Sequence, residues 1–286
     1  IIPSFFYSKL RGGKVIRAID DLWPEYLYER GIFSSKIIRF FLNRLAKFSY
    51  VFPEYLFPLN NAVKEIIHDS YKIDNEKFEV LSHGINIKKF TYSKKIRTNI
   101  FTLMYFGSLI ESYDFDLIIN AAKKLKEKNI QFIIRGRGKL LPYIKNQKEK
   151  YKLDNLLIQT DVIKNEEISK MLHKSDVLLA PMQKSKLANY SLPTKILEYQ
   201  AVGRPIICCS NGAVGTYVEQ TNSGLRADQG NLESFIDSIL KLESNPKLCD
   251  ILGENGRKNI EKEHTFEKIG IRLSYIIDKI IKNNTN

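Results

Sequence analysis

The sequence predicts an α/β protein built on buried parallel β-sheet. From Phe101 onward, short apolar runs alternate with amphipathic stretches at the scale of βαβ units, which calls for a parallel sheet with helices on its faces. Those runs, FTLMYFG and PIICC among them, are apolar throughout and not at every second residue, as strands covered on both sides are. The length of 286 residues suggests two domains at ~100–200 residues each.

The first 90 residues carry the thinner pattern. Residues 15–19, inside RGGKVIRAIDDLWPE, read as one strand ending in an acidic turn. Residues 34–50 read as a helix with Ser34 or Ser35 as N-cap. Pro53 and Pro58 interrupt the chain, residues 60–70 are helical, and FEVLSHG (78–84) reads as a strand ending in Gly. These two or three βα units are too few for a closed α/β domain. Residues 86–99, with Lys88, Lys89, Lys94, Lys95 and Arg97, are the most linker-like segment. The domains are therefore expected at 1–92 and 93–264, with a helix over 265–286.

The second part is denser. Strand 101–107 is followed by a helix over 116–128 with Leu117, Ile118, Ala121, Ala122 and Leu125 on one face. Then come a strand and turn (131–138), a strand (155–160), a helix (166–174), a strand stopped by Pro181 (176–181), a helix (195–202) and a strand (204–209). Residues 215–220 are helical, 224–226 form a short strand, and helices fill 232–243 and 247–263. Sheets of this kind bind ligands at the carboxyl ends of their strands.

Lys and Arg number 45 against 32 Asp and Glu, a net charge of +13. A basic surface suits anionic partners, among them nucleic acid, acidic membrane and phosphorylated small molecules; it equally serves solubility. The excess is spread, 14 basic to 10 acidic residues before Ser93 and 31 to 22 after it, with no block of like charge such as a nucleic-acid tail would show. Cys208, Cys209 and Cys249 form no C-x-x-C motif, and the first two lie in a buried run. An odd count of this sort fits a reducing, cytoplasmic setting. The four histidines, His68, His83, His173 and His264, lack ligand spacing, so no metal site is expected. No run approaches ~18 uncharged apolar residues, and no membrane-spanning helix is expected.

The most informative segment is ANYSLPTKILEYQAVGRPIICC, residues 188–209. A polar loop with Ser191 and Pro193 opens a helix carrying Lys195 and Glu198. Free N–H groups and the positive end of the dipole at such a helix start suit a diphosphate. Lys195 adds a charge, and Glu198, three residues on, can accept hydrogen bonds from a ribose diol. On the residues alone a second reading stands, an ordinary surface helix with an i,i+3 Lys–Glu pair.

This segment resembles the donor-site signature of the family 4 glycosyltransferases, of GT-B fold, and in particular the O-antigen and capsule branch whose helix reads S-K-x-x-E-Y-x-A-x-G-x-P. Here the matching residues are Thr194, Lys195, Glu198, Tyr199, Ala201, Gly203 and Pro205. Other landmarks fall in the family's order: DDLWPE (20–25), LSHGIN (81–86), Phe106-Gly107-Ser108, RGRGKL (135–140), DVLLAP (176–181) and NGAVGTYVEQTNSGLRAD (211–228). The resemblance covers nearly the whole chain. It implies two Rossmann-like, doubly wound parallel-sheet domains. The acceptor-side domain would hold residues 1–92, the nucleotide-sugar domain 93–264, and the helix over 265–286 would return to the first.

The resemblance also implies an activity: transfer of a sugar from a nucleotide-diphosphate donor to a lipid-linked or polysaccharide acceptor, retaining configuration, without metal or cofactor. It makes Glu198 the ribose ligand and Lys195 the diphosphate stabiliser. Around the diphosphate it places Gly107, Ser108, Leu192, Pro193 and Thr194, with Arg135, Gly136 and Ser191 as further donor-binding candidates. Asp20 and Asp21 are acceptor-side candidates, or residues that merely cap a turn. Arg135 and Arg137 either add positive charge or are solvated turn residues. Departures are visible too. Tyr190 stands where classical members carry a glutamate, so sugar recognition differs, and Ser108 to Glu111 replace the classical Arg and Lys after the first donor strand. Two rivals stay in view, a GT-B sugar-nucleotide 2-epimerase, whose acidic and His residues have no counterpart here, and a basic nucleic-acid-binding protein, against which no RNP-like strand is found.

Two expectations concern surfaces. In residues 34–50, Ile37, Ile38, Phe41, Leu42, Leu45 and Phe48 share one side, with Lys36, Arg39, Arg44 and Lys47 on the other. Such a helix either packs on a core or rests on an anionic membrane, giving a peripheral location on the inner face of the cell membrane. Residue 1 is Ile, and against the family the chain is short by ~100 residues of first-domain units. A truncated first domain is expected, with donor binding kept, transfer reduced and an exposed edge near Val15 to Ile19 prone to associate.

Overall fold

A computed structural model describes residues 1–185 and 188–282. Residues 283–286 of the expected last helix lie outside the described residues. Contacts among the described residues divide the chain into two compact units. The first is Ile1–His83 with Tyr190–Leu192 and residues 269–282; the second is Gly84–Asn189 with Pro193–Lys268.

The first unit holds α1 (Ile2–Arg11), β1 (Ile16–Ile19), α2 (Glu25–Glu29), α3 (Lys36–Val51), β2 (Tyr55–Pro58) and α4 (Asn61–Tyr71). β1 and β2 pair in parallel, from Ile16 beside Tyr55 to Ile19 beside Pro58. α1 and α2 were not expected. β2 forms between the two prolines, and Pro58 is tolerated because it is the strand's last residue. α4 starts where Asn60 accepts a bond from the Val63 N–H. The expected strand over 78–84 is corrected. Phe78 bridges Leu56, and the Glu79 and Leu81 N–H groups donate to Leu56 and Pro58, but the segment forms no strand of its own.

α3 carries the stripe that the sequence placed on one side of residues 34–50. Only Ala46, Ser49 and Tyr50 are buried, whereas Ile37 is 70% and Phe41 65% exposed. The apolar stripe is therefore open to solvent along most of its length. Residues 269–282 contribute Ile276 and Ile280, which pack on Phe57.

The second unit is a six-stranded parallel sheet. Its elements are β3 (Phe101–Phe106), α5 (Phe115–Lys124), β4 (Ile130–Arg135), α6 (Leu141–Tyr151), β5 (Leu156–Gln159), α7 (Asn165–Leu172), β6 (Val177–Pro181), α8 (Thr194–Ala201), β7 (Ile206–Cys209), α9 (Ala213–Gln220), β8 (Gly224–Ala227), α10 (Leu232–Glu243) and α11 (Pro246–Asn259). A π-helical turn (Ile260–His264) leads into α12 (Phe266–Lys282). The strand order is β5-β4-β3-β6-β7-β8, and every adjacent pair is parallel. α5 packs on β4 and β6, α9 on β7 and β8, and α11 on α8 and β8. β6 and β7 are buried at every residue, which is why their sequences are apolar without alternation. Cys208, Cys209 and Cys249 are free and buried, and the first two are β7 residues packed as small hydrophobes.

The order places a topological switch between β3 and β6. The chain runs outward from β3 to β4 and β5, then returns to the other side of β3. Ligand crevices of doubly wound sheets lie at the carboxyl ends of the strands at such a point.

Candidate functional site

Three pieces of the second unit meet at that end of the sheet: the turn after β3, the turn after β4 and the start of α8. Gly107 and Gly136 have φ of +144° and +155°, a region closed to residues with a Cβ. A Cβ on Gly136 would run into the Gly107 carbonyl, and one on Gly107 into the Lys195 ammonium. The turns are laced directly, the Gly107 N–H donating to Arg135 O (3.0 Å) and the Leu109 N–H to Arg137 O (2.8 Å). The backbone after β3 is thus held close beside α8.

α8 begins uncapped. Pro193 is its N-cap residue and offers no side-chain acceptor; the Ile196 N–H donates to Pro193 O at 2.9 Å, while the first turn has no side-chain cap and the dipole keeps its open positive end. The sequence writes this by placing Pro, and not Ser, Thr or Asp, at the cap.

The i,i+3 Lys195–Glu198 pair of the second reading does not form; no ion pair joins them among the described residues. The Lys195 side chain turns elsewhere. Its Nζ lies 3.8 Å from the centroid of the Tyr113 ring and 4.3 Å from that of Tyr105, and donates to Tyr105 Oη at 2.9 Å. Tyr105 Oη donates onward to Ser108 O at 2.6 Å. Burial lowers the Lys195 ammonium to about 7, with the Glu198 charge opposing the shift. Each ring face offsets about 0.5–2 kcal/mol of the desolvation. Glu198 is half-buried, and burial raises its carboxyl while the Lys195 charge lowers it. Its carboxylate has no hydrogen-bond partner among the described residues, so its acceptor capacity is unused.

The other expected residues are placed unevenly. Gly107, Ser108, Gly136, Pro193, Thr194, Lys195 and Glu198 all belong to the second unit. Arg135 does too, but its guanidinium is committed to Gln159 Oε1 (2.5 Å) and Asp161 O (3.2 Å) at the end of β5. Arg137 donates to Thr160 O. Ser191 and Leu192 group with the first unit beside Tyr190, whose carbonyl accepts from Asn60 Nδ2 at 3.0 Å. Asp20 and Asp21 are exposed residues following β1 in the first unit. Among the described residues no three His, Cys, Asp or Glu side chains are grouped so as to hold a metal ion, and no helix is long and apolar enough to cross a membrane.

Tyr105 and Tyr113 escaped the sequence reading. Tyr105 sits in an apolar strand and Tyr113 in a loop, and nothing local distinguishes a ring that cradles an ammonium from one that fills a core.

Comparison with known proteins bears on family and fold. Residues 86–259, more than half of the chain, match the family described as Glycosyl transferases group 1. An uncharacterized glycosyltransferase of Methanocaldococcus jannaschii, MJ1178, is 26% identical over 177 residues, 60% of this chain and 47% of its own length. The Escherichia coli UDP-Gal:alpha-D-GlcNAc-diphosphoundecaprenol alpha-1,3-galactosyltransferase is 25% identical over 218 residues, 71% of this chain and 54% of its own length. The chain thus spans about half the length of these two relatives. A crystal structure of a glycosyltransferase from Rickettsia africae superposes with a TM-score of 0.77 at 15% identity, covering 98% of this chain and 74% of that one. The fold is GT-B, and the chain belongs to the group 1 glycosyltransferases.

Proposed function

We propose that this chain binds a nucleotide-diphosphate sugar at the carboxyl ends of β3 and β6 and serves its transfer to a lipid-linked or polysaccharide hydroxyl. The observation that carries this is one helix start presenting three complementary features beside the Gly107 turn. These are uncapped N–H groups, the Lys195 cation and the unpartnered Glu198 carboxylate. The first two match a diphosphate and the third a ribose diol.

In the transfer, the bond from the anomeric carbon to the diphosphate oxygen breaks and the acceptor oxygen bonds that carbon. The acceptor's proton leaves with the nucleoside diphosphate. Negative charge grows on the departing diphosphate, and a cation and N–H dipoles fixed before the reaction stabilise it without reorganising. In this reading the anomeric configuration is retained, and the charge compensation comes from Lys195 and the helix start without a cofactor or metal. The E. coli relative's name records a UDP-sugar donor and a diphosphoundecaprenol acceptor, which supports a lipid-linked acceptor here. The open apolar stripe of α3 then suits peripheral contact with an anionic membrane from the cytoplasmic side, and the three free buried thiols suit a reducing compartment.

The test is a thermal-shift and calorimetric series with UDP, GDP, their sugars and a short oligonucleotide at two salt concentrations. Saturable binding of a nucleoside diphosphate, weakened by Glu198→Ala in a folded chain, is the expected result. Steeply salt-dependent oligonucleotide binding with no response to any nucleoside diphosphate overturns the reading.

A further inference from the structure

We propose that Tyr199 is a positioning residue whose hydroxyl serves as the missing ladder rung at the open end of β3 and so fixes the Gly107 turn. This rests on the donor-site reading above. β3 pairs with β4 along its whole length, from Phe101 beside Ile130 to Phe106 beside Arg135. With β6 it pairs only at Leu103 and Met104. Beyond Met104 the two central strands have parted, which is what opens a crevice at a switch point.

Parting leaves a debt of hydrogen bonds. The Gly107 N–H is satisfied on the β4 side by Arg135 O. Phe106 offers its N–H and carbonyl to the other side, where β6 no longer runs alongside. Both are met by one atom: Tyr199 Oη accepts from the Phe106 N–H at 3.0 Å and donates to Phe106 O at 3.1 Å. A hydroxyl, with one proton and two lone pairs, can fill both roles at once. Tyr199 is fully buried, so no water competes for either bond.

The strut originates on α8. Lys195 and Tyr199 are four residues apart and share a helix face, while Glu198 is the residue before Tyr199. The Lys195 cradle brackets the clamped residue, with Tyr105 before it and Ser108 after it. The hydroxyl therefore ties the helix that carries the cation and the carboxylate to the strand end that carries the Gly turn. The Tyr199 hydroxyl bonds Phe106 and not the groups proposed to meet substrate; it holds them in register, the kind of preorganisation on which small displacements weigh heavily.

The test compares wild type, Tyr199→Phe and Tyr217→Phe. The last removes a partly buried hydroxyl from the Gln200–His264–Asn259 network, away from the turn, and reports what a lost interior hydrogen bond does to stability alone. Binding of UDP and of uridine (or GDP and guanosine) is measured for each. Tyr199→Phe is expected to weaken the diphosphate on the order of tenfold while leaving the nucleoside unchanged. Tyr217→Phe lowers the melting temperature without altering that ratio. An unchanged ratio in Tyr199→Phe, or an equal change in Tyr217→Phe, overturns the positioning role. Amide exchange of the wild type gives a second measure that needs no variant: the Phe106 amide should be protected like a paired core strand, and fast exchange there removes the clamp. A wild type that binds no nucleoside diphosphate, with Phe106 protected, overturns the donor-site reading and the positioning role with it, yet leaves the clamp standing, so the two failures are told apart.

Discussion

Lys195 stands against Tyr113, its Nζ 3.8 Å from the ring centroid, and not against Glu198 one helical turn away. A pairing that sequence spacing favours is set aside for an aromatic slot, with Tyr105 on the second side at 4.3 Å. The ammonium is held without a counter-ion contact among the described residues, in surroundings that favour its neutral form.

On the donor-site reading, nucleotide binding should depend on pH. Burial puts the Lys195 ammonium at about 7 in the free protein. A bound diphosphate favours the charged form, so binding above pH 7 takes up a proton. Affinity for a UDP-sugar, whose diphosphate diester does not titrate in this range, should fall about tenfold per pH unit above 7. Calorimetry in buffers of different ionisation enthalpy should show the proton uptake, and Lys195→Met should abolish both effects. The same shift acts on stability. The folded value lies below the unfolded ~10.4, so from about pH 7 to 10 the unfolded chain binds more protons and this group's contribution to stability rises with pH.

Glu198 is expected to show a trade between stability and binding. Its carboxyl is raised by burial, so its ionised form costs stability once pH exceeds the unfolded carboxylate value of ~4.3. Glu198→Gln removes that charge in nearly the same volume. The variant should melt slightly higher than wild type at pH 7–8 and bind a ribonucleoside diphosphate more weakly, as functional sites commonly do. Melting curves and titrations on one preparation check both halves.

The two glycines of the turns should differ in tolerance. Gly107→Ala strains the backbone at φ +144° but meets the movable end of Lys195, whereas Gly136→Ala meets the Gly107 carbonyl itself. Gly107→Ala should cost about 1–3 kcal/mol in denaturant unfolding. Gly136→Ala should cost more, because backbone must shift.

Arg204 offers a structural test away from the site. Its guanidinium donates to Ser175 O (2.9 Å), Ser93 O (2.7 Å) and His173 O (3.1 Å) from a buried position. Arg204→Lys cannot reach three separated carbonyls with one ammonium. A loss of about 2–4 kcal/mol is expected from the acceptors left unpaired, with nucleotide affinity unchanged at temperatures where the variant is folded.

The α3 stripe can be tested with vesicles. The chain should co-sediment with phosphatidylglycerol vesicles and not with phosphatidylcholine ones. Phe41→Glu should weaken that binding by on the order of tenfold or more, the transfer value of one large apolar side chain. Equal binding to both vesicle types, or none to either, removes the membrane contact.

The sequence by itself determined the parallel α/β architecture of the second unit, because strands buried on both faces must be apolar at every residue and their crossovers must be amphipathic. It also placed the helix start near Lys195 and the three-residue spacing from Lys195 to Glu198, because these are set by neighbours within a few positions. It did not carry the fate of residues 78–84, which read as a strand but only flank β2 through the Leu56 bridge, nor how much of the α3 stripe is exposed. Both depend on what lies alongside, which local periodicity does not encode. Tertiary structure alone decided that Lys195 lodges between Tyr105 and Tyr113, that the Arg135 guanidinium serves β5, and that the Tyr199 hydroxyl completes β3. Each joins residues 24 to 93 positions apart, and such contacts follow from where a sheet splits and which side chains reach the gap.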